Sequence, residues 1–267
     1  MSENGVIFNR LHVKQHRNRM AEQFSGFDFL FLEGAERLAE RLEDTSRTFP
    51  LALDLGCHTG QLASVLNDRG GISTLVQCDL SQAMVARTPG LKLVADEEFL
   101  PFADNSFDLV MSSLSLHWVN DLPGTLIQIH KALKPGGIFF ASLLGGETLK
   151  ELRQATLAAE MESGSGISPR VSPFIDVKDA GALLQRAGFS MPVTDSDAIN
   201  VTYGEALSLF QDLHYMGEGN KLLRARKQFT PRSTLLAIAK KYQAMFSDHH
   251  GEIKASFDII TLTGMKP

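Results

Sequence analysis

The stretch Leu51-Ala52-Leu53-Asp54-Leu55-Gly56-Cys57-His58-Thr59-Gly60 decides how this chain is read. Its first half is a short apolar run of the kind that forms a strand buried on both faces. Its second half carries two glycines, which permit positive φ and let a ligand approach the backbone closely. Leu62 to Leu66 then reads as a helix, so the unit is strand, glycine turn, helix. The first turn of such a helix offers free N–H groups to an anion. Asp54, where the strand ends, offers a carboxylate to a cation. A dinucleotide fingerprint does not fit: counted from Gly56, the next two positions of GxGxxG hold His58 and Gln61.

Working outward, the alternation continues. Thr74 to Asp79 reads as a second strand, and Ser81 as the N-cap of the next helix. Leu91 to Val94 and Phe107 to Ser112 read as third and fourth strands, Leu91 to Val94 being the weaker signal. Asp121 with Pro123 opens a helix through Leu133, Lys134 to Gly137 is a tight turn, and Ile138 to Leu144 is a fifth strand. Upstream, residues 8–24 read as a helix or arm, and Leu30, Ala35, Leu38, Ala39 and Leu42 give a helical period that Pro50 ends. Downstream, a helix over Thr148 to Met161 precedes an exposed loop from Glu162 to Pro173. Asp176 or Asp179 caps a helix ending at Gly188. Two late strands follow, Val193 to Tyr203 and Phe257 to Met265, with helices near 204–216 and 231–246 between them. Strands alternating with helices predict an α/β, Rossmann-like, doubly wound sheet. The expected organisation is one domain over 1–267: an N-terminal helical arm (1–48), a cofactor-binding core (49–145), and a small helical cap with the late strands (146–267).

Composition narrows the function classes. A net charge of −5 argues against a nucleic-acid partner, since such binding rests on phosphate neutralisation. Residues 10–19 are a local exception, with Arg10, Lys14, Arg17, Arg19, His12 and His16 and no acid. Two cysteines, Cys57 and Cys78, are too few for a disulfide framework and form no CxxC pair for zinc. The longest apolar run, near Ile138 to Leu144, is far short of the ~20 residues of a membrane span. Without an apolar signal core, and with Glu3 and Glu22 counting against a basic presequence, the default location is the cytoplasm.

A ligand with an ammonium and a carboxylate suits the Asp54–Gly60 turn, and the methionine end of S-adenosylmethionine carries both. Asp79 lies 19 residues after Gly60 at the end of the second strand, where an acid accepts from ribose hydroxyls in doubly wound folds. Ala95-Asp96-Glu97-Glu98-Phe99-Leu100-Pro101-Phe102 places acids to accept from an adenine amino group and an apolar segment to wall the base. Taken singly, the turn reads equally as structural, Asp79 as a helix cap and Asp96 as a surface acid. Their shared order and spacing favours the joint reading.

That order, together with Ser106-Phe107-Asp108 and Leu133-Lys134-Pro135-Gly136-Gly137, resembles class I methyltransferases. Phe49 to Cys57, Ala95 to Phe102, Ser112-Ser113-Leu114-Ser115-Leu116-His117-Trp118-Val119-Asn120-Asp121-Leu122-Pro123 and Ser168 to Phe174 resemble, more narrowly, the methyltransferase-like assembly factors of respiratory complex I. The resemblance runs from about Phe8 to the C-terminus. It implies a seven-stranded methyltransferase sheet and an S-adenosylmethionine site at Arg19, Asp54, Gly56, Cys57, Gly60, Asp79, Leu80, Asp96, Glu97 and Ser112. It also implies a protein substrate in complex I, because the family's mitochondrial member is an arginine hydroxylase. A wider relative is the malonyl-carrier-protein methyltransferase of biotin synthesis. Protein modification, methylation of a carrier protein or small molecule, and a non-catalytic assembly role are therefore the three classes in play. Many members of the family have glycine where this chain has His58, whose side chain is expected to point away from the cofactor, toward solvent or the arm.

Methyl transfer needs alignment more than acid–base groups. His117, following the fourth strand, reads as a base or orienter, or as a histidine packed beside Trp118. Gly145-Gly146-Glu147 follows the fifth strand, where the substrate would lie. Arg17 and Arg19 either close over the cofactor carboxylate or form a solvated helix face. Arg170, between two Ser-Pro pairs, is expected to contact the acceptor or an acid of the cap, or else to be a solvated arginine of a mobile connection. His249, His250 and Glu252 are close in sequence, but adjacent side chains diverge, and no metal is expected.

Overall fold

The structure is a computed structural model that describes residues 5–163, 169–223 and 230–267. Its strands are β1 (Ala52–Leu55), β2 (Leu75–Asp79), β3 (Leu91–Val94), β4 (Phe107–Ser113), β5 (Leu133–Leu144), β6 (Ser190–Tyr203) and β7 (Ile253–Met265). All belong to one sheet in the order β3-β2-β1-β4-β5-β7-β6. The pairs from β3 to β5 are parallel, and β7 runs antiparallel to both β5 and β6. The helices are α1 (Arg10–Met20), α2 (Phe29–Glu43), α3 (Gln61–Leu66), α4 (Gln82–Val85), α5 (Leu122–Ala132), α6 (Lys150–Ser163), α7 (Val177–Arg186), α8 (Ala206–Tyr215) and α9 (Arg232–Phe246).

Both faces of the sheet are covered, which is why its central strands read as unbroken apolar runs. Leu53, Leu55, Val110 and Phe139 turn to one face and pack with Leu126 and Ile129 of α5 and Leu184 of α7. Ala52, Leu109, Met111 and Phe140, one residue out of phase, turn to the other and pack with Leu38 and Leu42 of α2 and Leu62 of α3. A third cluster joins Phe24 and Phe31 near the N-terminus to Leu209 of α8, Tyr242 of α9 and Phe257 of β7. The caps lie where the sequence puts them: Ser81 accepts from the Met84 N–H, Asp121 from Gly124 and Asp176 from Lys178.

One local reading changes. Lys134 to Gly137 is not a turn before β5 but a bulge inside it: β4 advances from Phe107 to Leu109 while β5 advances from Leu133 to Ile138. β3 reads weakly because it is the sheet's edge, with Leu91 and Val94 exposed. β1 sits between β2 and β4, so chain order reverses at β1. The crevice beyond the carboxyl ends of those strands is where open α/β sheets take ligands.

Phe257 is fully buried where β7 meets α6 and α9. Phe257→Ala is expected to lower unfolding free energy by about 3–5 kcal/mol. Urea denaturation measures this, and a loss below about 1 kcal/mol would contradict the packing described.

Candidate cofactor site

The turn after β1 is held by its own backbone. The N–H groups of Gly56 and Cys57 both donate to the Cys78 carbonyl, at 2.8 and 2.9 Å. Gly56 has φ +77°, and a Cβ there would lie 2.1 Å from Ser115 Oγ. Glycine is thus required twice over, by conformation and by the approach of the loop after β4. Gly60, with φ 97°, sits at the N-cap of α3. Asp54 is fully buried, and neither carboxylate oxygen has a partner. Burial, aided by the charge of Asp79, pushes its carboxyl up to about 8.

Asp79 and Glu97 are also fully buried, but they are fully engaged. One oxygen of Asp79 accepts from the Ser81 N–H at 2.8 Å, the other from the His58 N–H at 3.1 Å and from Arg17 at 3.0 Å. Glu97 accepts from Arg17 at 3.1 Å, from Ser115 Oγ at 2.8 Å and from Arg10. Arg17 also donates to Ser115 Oγ at 3.0 Å. Burial works to raise the Glu97 carboxyl, yet the two guanidinium groups hold it down at about 2. Arg10 reaches Asp96 as well, at 2.6 Å. Helical spacing explains the pairing, since positions 10, 13 and 17 share one face of α1. Arg19, two residues beyond Arg17, points elsewhere: it is exposed and donates to the Gln15 carbonyl. The arginine that α1 turns onto the buried acids is therefore Arg17, and Arg19, expected beside them, lies on the outer face.

His58 is 3% exposed, with its ring stacked on Phe24 and edge-on to Phe31. Of the two directions the sequence allows, it takes the one toward the N-terminal segment and away from solvent. Burial, helped by the nearby Arg17 charge, pushes it down to about 3. His117 and Trp118 converge on one buried carboxylate, Glu218, at 3.1 Å each. His117 Nδ1 is buried and unpartnered. Lys221 lies over the Trp118 ring and bonds His16 Nδ1, and burial pushes its amine down to about 8. Beyond His117, Phe174 packs edge-on to its ring at 5.5 Å and lines a cavity of about 760 Å³ with Ile7, Gly146, Arg153, Val171 and Leu222.

A family model described as a methyltransferase domain matches residues 53–141. Among curated proteins, the mitochondrial arginine-hydroxylase NDUFAF5 of Homo sapiens is 44% identical over 97% of this chain and 77% of its own length. The chain belongs to the NDUFAF5 family. The malonyl-[acyl-carrier protein] O-methyltransferase of a Methylovorus strain is 30% identical over 100% of this chain and 92% of that protein. In solved structures, the fold is shared with phosphoethanolamine N-methyltransferase 2 of Haemonchus contortus, in complex with S-adenosylmethionine: TM-score 0.57, 15% identity, 96% of this chain and 60% of that one. The chain is thus a class I S-adenosylmethionine-dependent methyltransferase-fold enzyme. The cytoplasmic default is corrected, because relatives of this NDUFAF5 family at 43–44% identity are mitochondrial proteins.

The remaining candidates of this NDUFAF5-family chain divide. Leu80 is buried with Phe8, Val13 and Trp118, and Cys57 is buried within the turn. Ser112 donates to the Leu55 carbonyl at 2.6 Å, so it ties β4 to β1. Arg170 bonds Glu160 of α6 and Thr230 Oγ1, at 2.7 Å each, which places it on an acid of the cap. Pro169 and Val171 to Phe174 line the cavity, whereas 164–168 lie outside the described residues. No helix among the described residues is long and apolar enough to cross a membrane. No trio of His, Cys, Asp or Glu among them is gathered as a metal-ligand set. Sequence reasoning missed Glu218, which is 101 residues from His117, and the engagement of Arg10 and Ser115.

Removing Arg17 leaves two buried carboxylates short of a partner, so Arg17→Ala is expected to destabilise by about 3–5 kcal/mol. Arg19→Ala should stay within about 0.5 kcal/mol of the parent. Thermal denaturation of the two variants side by side checks the assignment, and equal effects would refute it. His16 and His58 are both pushed down to about 3 from 6.5, chiefly by burial. They are neutral in the fold and charged in the unfolded chain below about 6.5, so the stability they contribute is complete above that pH and drains as pH falls toward 3. Imidazole NMR signals of both should remain those of the neutral ring at about pH 5, and a midpoint near 6.5 for either would contradict its burial.

Proposed function

We propose that this protein holds S-adenosylmethionine over the β1–α3 turn and hydroxylates an arginine of a protein substrate, a subunit of respiratory complex I. The 44% identity to an arginine-hydroxylase along 97% of the chain is the observation that carries the reading. The donor set fits the cofactor where it is free to be tested: Asp54 is a buried carboxylate with no partner, at the place where an ammonium would be received. S-adenosylmethionine would supply a sulfonium methyl group or a fixed cationic ligand beside the acceptor. The chain's own contribution is positional. Glu218 fixes the His117 ring through Nε2, which leaves Nδ1 to orient an acceptor group.

Hydroxylation converts C–H to C–OH with dioxygen, two electrons and two protons, releasing water. The reading therefore requires dioxygen and a two-electron reductant as co-reactants. Methyl transfer to a carrier-bound acid is a second reading, supported by the 30% identical carrier-protein methyltransferase that matches the whole chain. Mass analysis of acceptor proteins incubated with methyl-labelled cofactor separates the two. A gain of one oxygen on an arginine supports the first, and label on a carrier-bound carboxylate supports the second.

The cofactor is tested through Asp54, which α1 does not touch. Asp54→Asn is isosteric and removes the ability to ionise against a bound ammonium without breaking a hydrogen bond. It is expected to leave the melting temperature unchanged or raised while weakening S-adenosylmethionine by about 10–100-fold, the loss of one charged hydrogen bond. Calorimetric titration reads this directly, and unchanged affinity would remove Asp54 from the site.

A further inference from the structure

We propose that α1 is a strap that occupies the nucleoside half of the cofactor site, and that cofactor entry lifts it. The inference rests on the S-adenosylmethionine reading above and concerns the regulation of that site. The sequence places ribose and purine contacts at Asp79 and Glu97, yet every oxygen of both is already used. Arg17 takes one oxygen of each, Ser81 N–H the second oxygen of Asp79, and Arg10 the second of Glu97. Ribose hydroxyls donate to a carboxylate, as a guanidinium does. The two ligands compete for the same acids: Asp79 and Glu97 are fully buried beneath the two guanidinium groups, so nucleoside hydroxyls cannot reach them while α1 is seated. Asp54, at the methionine end, remains free. The site therefore has an unpaired acid at one half and a plug of arginines at the other.

The strap is built to be displaced. Its seat is polar: Arg10 and Arg17 on the acids, and Asn18 accepting from Ser81 Oγ at 2.7 Å and from the Ala83 N–H at 3.2 Å. Its apolar hold is a small cluster of Phe8, Val13, Leu80 and Trp118, separate from the three clusters of the sheet. Leu11 is 64% exposed. The helix is staked at both ends. Residues 7 and 9 pair with 221 and 223, and Phe24 is fixed in the core against Phe31 and His58. Between those stakes α1 has 11 residues, too few to stay helical once lifted into water. Without a ligand the guanidinium groups compensate two buried carboxylates, and that compensation is what a nucleoside must replace. Apparent affinity is then the intrinsic affinity multiplied by the open fraction, so a strap closed 99% of the time weakens binding by about 100-fold.

Hydrogen exchange of the wild-type protein with and without S-adenosylhomocysteine tests the strap. Ligand should slow exchange over residues 56–64 and speed it over residues 13–20. Slower or unchanged exchange in α1, with residues 56–64 protected, overturns the strap and leaves the cofactor reading standing. No protection anywhere, with no heat of binding at millimolar ligand, overturns both. A second experiment pins the helix by the paired substitutions Asn18→Cys and Ser81→Cys, with each single substitution as control. Oxidation should lower affinity for S-adenosylhomocysteine at least tenfold and reduction should restore it. Equal affinity in the two states, with the crosslink confirmed by mass, overturns the proposal. Val13→Ala, which weakens only the apolar hold, should tighten binding, and weaker binding would instead make α1 part of the ligand's own seat.

Discussion

Two carboxylates buried side by side set the terms for the rest of this molecule. Asp79 ends β2 and Glu97 follows β3, so the parallel register that builds the sheet also brings the two acids together beyond its edge. Neither can stay charged there alone, since an unpaired buried charge costs several kcal/mol. Arg17 joins them from α1, Ser115 bridges from the loop after β4, and Gly56 must lack a side chain for Ser115 to fit. One electrostatic requirement thus fixes an N-terminal helix, two loops and a glycine.

The same crevice holds a third acid in a different state. Asp54 lies on β1 with no hydrogen-bond partner among the described residues, and burial keeps its carboxyl up near 8. The contrast with Glu97, held near 2 by Arg10 and Arg17, comes from partners and not from depth, since both are fully buried. A site with one neutral acid waiting and two acids already paired with arginine is prepared for a ligand with a cation at one end and hydroxyls at the other. Glu218 adds a third arrangement, a carboxylate committed to orienting His117 and Trp118.

The sheet and its covering helices are legible in the chain because each rests on local rules. Apolar runs gave β1, β2, β4 and β5, and Ser81, Asp121 and Asp176 gave helix starts by side-chain capping. The turn at Gly56 and Gly60 and the positions of Asp79 and Glu97 followed from where acids and glycines fall relative to strand ends. What was not legible depends on docking. Whether Arg17 or Arg19 enters the crevice is a matter of helical phase against a surface the sequence does not display. Glu218 meets His117 across 101 residues, and no spacing rule spans that distance. For Arg170 the sequence allows the acceptor, an acid of the cap or solvent, and only the docked loop selects Glu160, ten residues away.

Trp118 is the chain's one tryptophan, and it stands at the junction of everything that moves in this picture. Its indole N–H is bonded to Glu218, its ring lies edge-on to Phe8 at 5.2 Å, and the Lys221 ammonium sits 5.8 Å above it. A single indole between a carboxylate and an ammonium feels a strong local field, and its emission depends on that field and on access to water. The protein therefore carries a native optical reporter, with no competing tryptophan signal, at the point where the N-terminal arm meets the rest of the fold.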